Sequence, residues 1–139
     1  MTIDLHTHST FSDGTDTPEE LAARAAEEGV TALALTDHDT VNGLPRFLAA
    51  CEQTGIAGIS GVELSAAYER GALHLLGYFI DYSNPGLMRM LSWVREARDK
   101  RNGEIFHRLN KLGKQVTWRE IHAAAGEDIV GRPHFAEVL

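Results

Sequence analysis

Short apolar runs alternate with helical patterns over the first part of the chain. Runs over residues 30–36, 56–62 and 73–79 have the length and character of buried strands. Helical patterns cover residues 17–29 and 43–54, and a glycine ends or follows each of them. Thr17 and Glu20 have the spacing of a capping box at the start of the first. Strands that alternate with helices in this way predict an α/β fold with a mainly parallel sheet.

The pattern changes at the Ser-Asn-Pro-Gly stretch of residues 83–86. One long helical pattern, rich in arginine and lysine, then covers residues 87–112. Thr117 and Glu120 have the spacing of a capping box, which predicts a short helix that ends near Ala125. A last apolar helical run reaches the end of the sequence. We interpret the long helical stretch as an insertion into the α/β layout.

The first predicted strand carries a pair of histidines. Alternate residues of a strand point to the same side, so Asp4, His6 and His8 would share one face. Imidazoles bind divalent ions such as Zn, Fe, Mn or Co, and a carboxylate behind them can orient a ring. Taken alone, an H-x-H pair is weak evidence, because a strand can carry two histidines without a metal role.

Other side chains that can bind metals fall at the ends of the predicted strands. Asp13 lies in the turn after the first strand, and His38 follows the second. Glu63 follows the third predicted strand, and His74 lies within the fourth. In parallel α/β sheets and barrels, side chains at the carboxyl ends of the strands converge on one site. Asp37 and Asp39 flank His38, and one of them is a candidate to orient its ring.

The composition is that of an ordinary soluble domain, and it limits the function classes. The 139 residues are 43% hydrophobic and 24% charged, and no apolar run approaches the roughly 20 residues that cross a bilayer. With a single cysteine, Cys51, and no signal-peptide pattern, we expect a cytoplasmic protein without a membrane partner. The net charge of −7 argues against a basic surface that would hold duplex nucleic acid stably.

Four spaced motifs resemble the PHP family, which is named for polymerase and histidinol phosphatase. They are Asp4-Leu5-His6-Thr7-His8-Ser9, Thr36-Asp37-His38-Asp39, Gly61-Val62-Glu63 and Gly131-Arg132-Pro133-His134. Within the family the chain is similar to small bacterial phosphoesterases that remove the 3′-phosphate from nucleoside 3′,5′-bisphosphates, or trim short RNA from the 5′ end. The resemblance implies a distorted (β/α)7 barrel with a site at the carboxyl ends of its strands.

The resemblance also implies two or three divalent metal ions and a set of seven ligands. The first ion would be held by His6, His8 and Glu63, the second by Asp13 and His38, and the third by Glu63, His74 and His134. Such ligands suit Mn, Fe and Zn alike, so the sequence does not choose among these metals.

Four further side chains are candidates for substrate contacts. Arg132 precedes His134, where a guanidinium could hold a second phosphate; the alternative is a structural ion pair. Arg101 and Asn102 lie in the predicted insertion and either reach the substrate from above or form an exposed helix face. Asn42 either contacts the substrate or caps the second helix.

One departure from the family concerns the end of the site. The family closes its site with a late Asp-x-His motif that this sequence lacks, and a (β/α) barrel usually needs roughly 200 residues or more. We therefore expect the N-terminal part of a longer enzyme: residues 1–83 in an incomplete barrel, 84–128 as a roofing insertion, and 129–139 as a return to the barrel, cut before the final motif. Such a piece exposes sheet edges, so we expect self-association, and the piece alone need not be active.

The implied activity is hydrolysis of a phosphate monoester of a small nucleotide or short RNA. The nucleophile would be a hydroxide bridging metals about 3.5–4 Å apart. A histidinol-phosphate-type phosphatase is one alternative, but Arg132 and the roofing insertion favour a substrate with two anionic groups. The second alternative is a non-catalytic metal-binding module. The intact set of candidate ligands from His6 to His134 argues against it.

Overall fold

The computed structural model describes residues 1–69 and 71–139. Within these residues, a four-stranded sheet and its two covering helices are followed by a group of three helices. In chain order the elements are β1 (Thr2–Thr7), α1 (Pro18–Glu27), β2 (Val30–Leu35), α2 (Leu44–Thr54), β3 (Ala57–Tyr68), β4 (Gly71–Tyr78), α3 (Pro85–Lys111), α4 (Trp118–Ala124) and α5 (Arg132–Glu137). The predicted α/β class is confirmed.

The sheet has the strand order β1-β2-β3-β4 and is curled into a half-barrel. β1, β2 and the first part of β3 are parallel, whereas β3 and β4 form an antiparallel hairpin. The Tyr78 hydroxyl on β4 donates to the Leu5 carbonyl on β1 over 2.9 Å, although these strands are the two ends of the order. This contact across the sheet brings the side chains of all four strands towards one interior.

β3 is longer than its apolar run predicts, and the predicted end of this strand at Val62 was wrong. Residues 57–60 pair with β2, and residues 61–68 pair with β4. Glu63 therefore lies inside the strand and not after it. The local pattern could not reveal this, because the extension of β3 is held by hydrogen bonds to a strand that comes later in the chain.

Both predicted capping boxes are present. The Thr17 hydroxyl accepts from the Glu20 amide over 3.3 Å, and the Glu20 carboxylate accepts from the Thr17 amide over 2.9 Å. Thr117 and Glu120 repeat the same pair of bonds with the same two lengths at the start of α4. Each box provides acceptors for two backbone N–H groups that the start of a helix would otherwise leave unpaired.

Two apolar cores hold the chain together. In the first, α1 and α2 pack on β2 and β3, and Leu33, Leu35 and Phe47 are among its fully buried side chains. The second joins α3, α4 and α5, and its buried members are Val116, Ile121, Ala125, Val130 and Phe135. The chain after Asp128 thus packs with the helices before it, and the division at residues 83 and 128 stays a prediction.

α3 is the longest helix of the described residues and crosses above the half-barrel. Its N-cap is Asn84, whose side-chain oxygen accepts from the Gly86 and Leu87 amides. Leu91 joins the first core, so this helix is anchored to the layer that carries the strands. None of the helices in the described part of the chain is both long enough and apolar enough to cross a membrane.

Candidate metal centre

Glu63 lies at the middle of a cluster of histidines. Its Oε2 is 3.0 Å from His6 Nε2 and 3.1 Å from His8 Nε2. Its Oε1 is 2.7 Å from His74 Nδ1, and Oε2 is 3.4 Å from His38 Nδ1. Burial alone would raise the pKa of Glu63, but the hydrogen bond from His6 and the nearby His38 hold this pKa below its usual value. The carboxylate is therefore ionised at neutral pH.

The strand geometry explains why these side chains meet. His6 and His8 are two residues apart at the end of β1, and their ring centroids lie 5.1 Å from each other. In the β3–β4 hairpin, His74 is paired with Ser65, two residues from Glu63. Paired residues share a face with the residues two positions away, so His74 and Glu63 point to the same interior. The predicted shared face of His6 and His8 is confirmed by their common contact with Glu63.

Asp13 reaches the cluster from the turn that follows β1. Its Oδ1 is 3.3 Å from His8 Nδ1, and its Oδ2 is 3.6 Å from His38 Nε2. The turn closes tightly at Gly14, where a Cβ atom would lie 2.1 Å from the His8 carbonyl oxygen. Only glycine fits this approach, and the approach is what turns Asp13 back towards the strand ends.

The donor atoms form three overlapping groups that fit divalent metal ions. In each group the candidate ligand atoms all lie within 4.8 Å of one another. The groups are His6, His8 and Glu63; His8, Asp13 and His38; and His38, Glu63 and His74. Within the described residues, His38 Nδ1 is buried and has no hydrogen-bond partner. A buried nitrogen without a partner, facing a carboxylate and other imidazoles, suits a metal ligand.

His134 lies apart from these three groups. It is buried at the start of α5, and its Nδ1 accepts from the Gly131 amide over 2.9 Å. Burial lowers the pKa of His134, while the charge of Asp13 acts in the opposite direction. The ring is thus neutral at pH 7 and oriented by its own helix turn. Its role as a ligand stays a prediction.

Asp37, next to His38, forms hydrogen bonds with two serines of the segment after β1. Asp37 is buried and accepts from the Ser9 amide and hydroxyl, each over 2.7 Å. It also accepts from the Ser12 hydroxyl over 2.6 Å, and this hydroxyl lies 3.2 Å from His8 Nδ1. No hydrogen bond joins Asp37 to His38 among the described residues. Sequence reasoning missed Ser12, because no local pattern marks a serine that links a buried carboxylate to a histidine.

Asp4 also serves the backbone: its Oδ1 accepts from the His6 amide over 3.2 Å. The prediction that this carboxylate stands behind the imidazoles is therefore replaced by a bond to the strand itself. Asp39, on the other side of His38, accepts from Ser65 and from Arg98 of α3. Asp37 and Asp39, the carboxylates on either side of His38, thus bond to neighbouring segments and not to the His38 ring.

A cavity of about 360 Å³ separates this cluster from α3 and α5. On one side its lining includes Asp13, His38 and His74. The part of the lining that α3 and α5 supply, here called the roof, carries three guanidinium groups, those of Arg98, Arg101 and Arg132. The cavity therefore has candidate metal ligands on its floor and positive charge on its roof, an arrangement that suits an anion.

Arg101 carries a buried donor without a hydrogen-bond partner among the described residues. Its Nη2 donates to the Asn102 side-chain oxygen over 3.0 Å, whereas its Nε is buried without a hydrogen-bond partner among the described residues. Burial, together with the charges of Arg98 and Arg132, lowers the pKa of Arg101. A guanidinium that lines a cavity can pair with an anion through its N–H groups.

The predicted substrate contacts divide into two pairs. Arg101 and Arg132 line the cavity as just described. The side-chain amide of Asn102 is buried and donates to the Val130 carbonyl over 2.9 Å, and that of Asn42 donates to Asp128 over 2.8 Å. These two amides hold the segment that joins α4 to α5. The N-cap of α2 is Gly43, so the prediction that Asn42 caps this helix was wrong. Substrate contacts of Asn42 and Asn102 stay predictions.

The chain is thus an α/β protein whose curled sheet forms part of a barrel and carries a candidate metal centre of histidines and carboxylates. Residues 4–130 match the PHP domain family, and the chain belongs to this family. The resemblance drawn from the four motifs is thereby confirmed.

Proteins of known name match the chain over nearly its whole length. It is 38% identical over 136 residues to a 5′-3′ exoribonuclease of Haemophilus influenzae, covering 98% of this chain and 49% of that protein. It is 36% identical over 143 residues to a 3′,5′-nucleoside bisphosphate phosphatase of Chromobacterium violaceum, covering 99% of this chain and 48% of that protein. The chain thus spans about half the length of these curated relatives.

A solved structure shows the same fold. An amidohydrolase from Chromobacterium violaceum, with bound sulfate and no metal, superposes with a TM-score of 0.92 at 36% identity. The superposition covers 100% of this chain and 49% of that one. The expectation of an incomplete PHP-type barrel is confirmed, because the whole chain corresponds to half of a larger fold.

Proposed function

We propose that this chain forms part of a metal-dependent phosphoesterase that hydrolyses a phosphate monoester of a nucleoside 3′,5′-bisphosphate or a short oligonucleotide. The observation that carries the proposal is the cavity, which is lined both by Asp13, His38 and His74 of the donor groups and by Arg101 and Arg132. The names of the relatives support the substrate class, since one is a 3′,5′-nucleoside bisphosphate phosphatase and another a 5′-3′ exoribonuclease.

The cluster is proposed to hold two or three divalent ions, of Mn, Fe or Zn. The proposed ligands are His6, His8, Asp13, His38, Glu63, His74 and His134. When bound, such ions would supply a nucleophilic hydroxide at neutral pH and neutralise charge on the phosphoryl oxygens. The cluster itself contributes only the carboxylates of Asp13 and Glu63, so two divalent ions would leave a net positive site that attracts a phosphate.

The residues of the roof would hold the second anionic group. Arg101 offers a buried Nε that has no partner in the described structure, and Arg132 lines the same cavity. A guanidinium binds phosphate oxygens through paired N–H groups, which orients the substrate as well as attracting it.

The substrate class can be tested by comparing two phosphate monoesters. With Mn²⁺ added, we expect a higher kcat/KM for adenosine 3′,5′-bisphosphate than for histidinol phosphate, because only the first carries a second anion for the roof. Release of inorganic phosphate is the measurement. Preference for histidinol phosphate would favour that phosphatase type instead. Turnover of neither by a metal-loaded protein would favour a non-catalytic binding module.

The role of the roof can be tested in the same assay with Arg101→Met. Since a hydrogen bond to a charged group contributes about 1.5–3 kcal/mol, we expect KM for the bisphosphate to rise roughly 10- to 100-fold. Arg89→Met is the matched control, because Arg89 is exposed on the same helix and its substitution removes the same charge. Equal KM values for the two variants would contradict a substrate contact at Arg101.

Self-association of the chain stays a prediction, and the edge strands support it. Ile3 and Leu5 on β1 are 53% and 41% exposed, and Leu73 and Leu75 on β4 are 43% and 51% exposed. Exposed apolar side chains on edge strands favour pairing with another sheet. Sedimentation should show a mass that rises with concentration, and Leu75→Lys should reduce it. A monomer at every concentration would refute the prediction.

A further inference from the structure

A closed hydrogen-bond network ties the loop after β2 to β3 and to α3. Asp39 is completely buried, and its carboxylate accepts from the Ser65 amide over 2.7 Å and from the Ser65 hydroxyl over 2.8 Å. Arg98 Nε donates to the same carboxylate over 3.0 Å, and its Nη2 bonds to both Asp39 and Ser65. Three segments that are distant in sequence thus meet at one buried ion pair.

Asp39 has a backbone conformation that needs support. Its φ is +54°, in the left-handed region that residues other than glycine rarely adopt. In this conformation the Asp39 amide donates to the Glu63 carbonyl over 3.0 Å, and the Glu63 amide donates to the Asp37 carbonyl over 3.2 Å. His38 is held between these two bonds, so its position relative to the Glu63 carboxylate depends on the conformation of Asp39.

The same pair reaches the roof of the cavity. Arg98 precedes Arg101 by three residues on α3, so the two side chains lie on the same side of the helix. Both line the same cavity as His38 and His74. A bond from Arg98 to the residue after His38 therefore fixes the separation between the candidate metal ligands and the guanidinium of Arg101.

We infer that Arg98 and Asp39 are positioning residues that hold the His38 loop and the α3 roof in one geometry. Through this pair, the arrangement of the donor atoms around His38 and the placement of Arg101 depend on each other. The anion part of this inference rests on the proposed function, whereas the metal part rests on the donor cluster alone.

A role in stability alone would predict different behaviour. A buried ion pair contributes little net stability, since desolvation of both charges offsets their attraction, and replacing both partners is often neutral. Removing one partner leaves an unpaired buried charge and destabilises the fold. The double variant Asp39→Asn/Arg98→Met therefore separates the two roles, because it removes the pair without leaving a charge behind.

The experiment is a titration of the metal-free protein with Co²⁺, followed by its visible absorption, together with thermal unfolding. We expect the double variant to unfold near the temperature of the unaltered protein but to bind Co²⁺ roughly 10- to 100-fold more weakly, the range seen when residues supporting a ligand are lost. A changed absorption spectrum should accompany the weaker binding. Arg89→Met, which removes one arginine from an exposed position of α3, should match the unaltered protein.

Two results would overturn the inference. One is Co²⁺ binding of the double variant with unaltered affinity and spectrum, whatever its unfolding temperature. The other is unaltered Co²⁺ binding by Arg98→Lys, which keeps the charge but loses the paired N–H groups, and which decides the question if the double variant does not fold. Failure of the unaltered protein to hydrolyse the bisphosphate while it binds Co²⁺ would reject the proposed function and leave the positioning role standing.

Discussion

Glu63→Gln is expected to abolish tight binding of divalent ions. Among the described residues, Glu63 is the one carboxylate that contacts four histidines of the cluster, and it belongs to two of the three donor groups. Glutamine keeps the shape of the side chain but loses the charge that attracts the ions. The affinity for divalent ions should fall by more than the roughly 10- to 100-fold that follows loss of a residue hydrogen-bonded to a metal ligand. Elemental analysis of the purified protein, and titration of the metal-free form with Mn²⁺, measure the change.

The control for this variant is Glu52→Gln, which removes the same charge from an exposed position on α2. It should retain the metal content of the unaltered protein, which we expect to be two or three equivalents. Thermal unfolding of both metal-free variants should be similar, so that a loss of metal cannot be attributed to unfolding. Unaltered metal content in Glu63→Gln would exclude Glu63 as a ligand and, with it, the proposed centre.

Phe47→Ala is expected to produce the largest loss of stability. Phe47 lies on α2, is fully buried, and is among the largest side chains of the first core. Its truncation removes apolar contacts and leaves a cavity between α2 and the sheet, which costs about 3–5 kcal/mol. Urea denaturation followed by circular dichroism measures the difference in the free energy of unfolding.

Leu112→Ala is the matched control for the core variant, because Leu112 is 77% exposed at the end of α3. Its free energy of unfolding should change by no more than about 0.5 kcal/mol. Loss of stability in Phe47→Ala should appear without a change in metal affinity under conditions where the protein is folded. An equal effect of the two substitutions would mean that the first core is not the main source of stability.

Much of the candidate site follows from local pattern. The period of two along β1 puts His6 and His8 on one face, and parallel strands bring His38 towards them. The capping boxes at Thr17 and Thr117 were likewise predictable, because each is complete within four residues. Sequence reasoning succeeded where the physical cause lies within one turn or one strand.

The connections between these elements could not be predicted in the same way. The place of Glu63 inside β3 depends on pairing with β4. The bond from Ser12 to Asp37 and that from Arg98 to Asp39 join residues 25 and 59 positions apart. Such bonds exist only after the chain has folded, since no local pattern specifies which distant donor a buried carboxylate will meet.

The sequence by itself determined the α/β class, the family and the set of residues able to bind metal. The tertiary structure decided how those residues are grouped: Glu63 lies at their centre, and His134 lies apart in the first turn of α5. It also placed Asn42 and Asn102 in internal hydrogen bonds, and it left the buried Nε of Arg101 without a partner among the described residues. The physical reason is that residue type and spacing define which chemistry is possible, whereas distance and burial, which set the strength of each interaction, arise only when separate segments pack together.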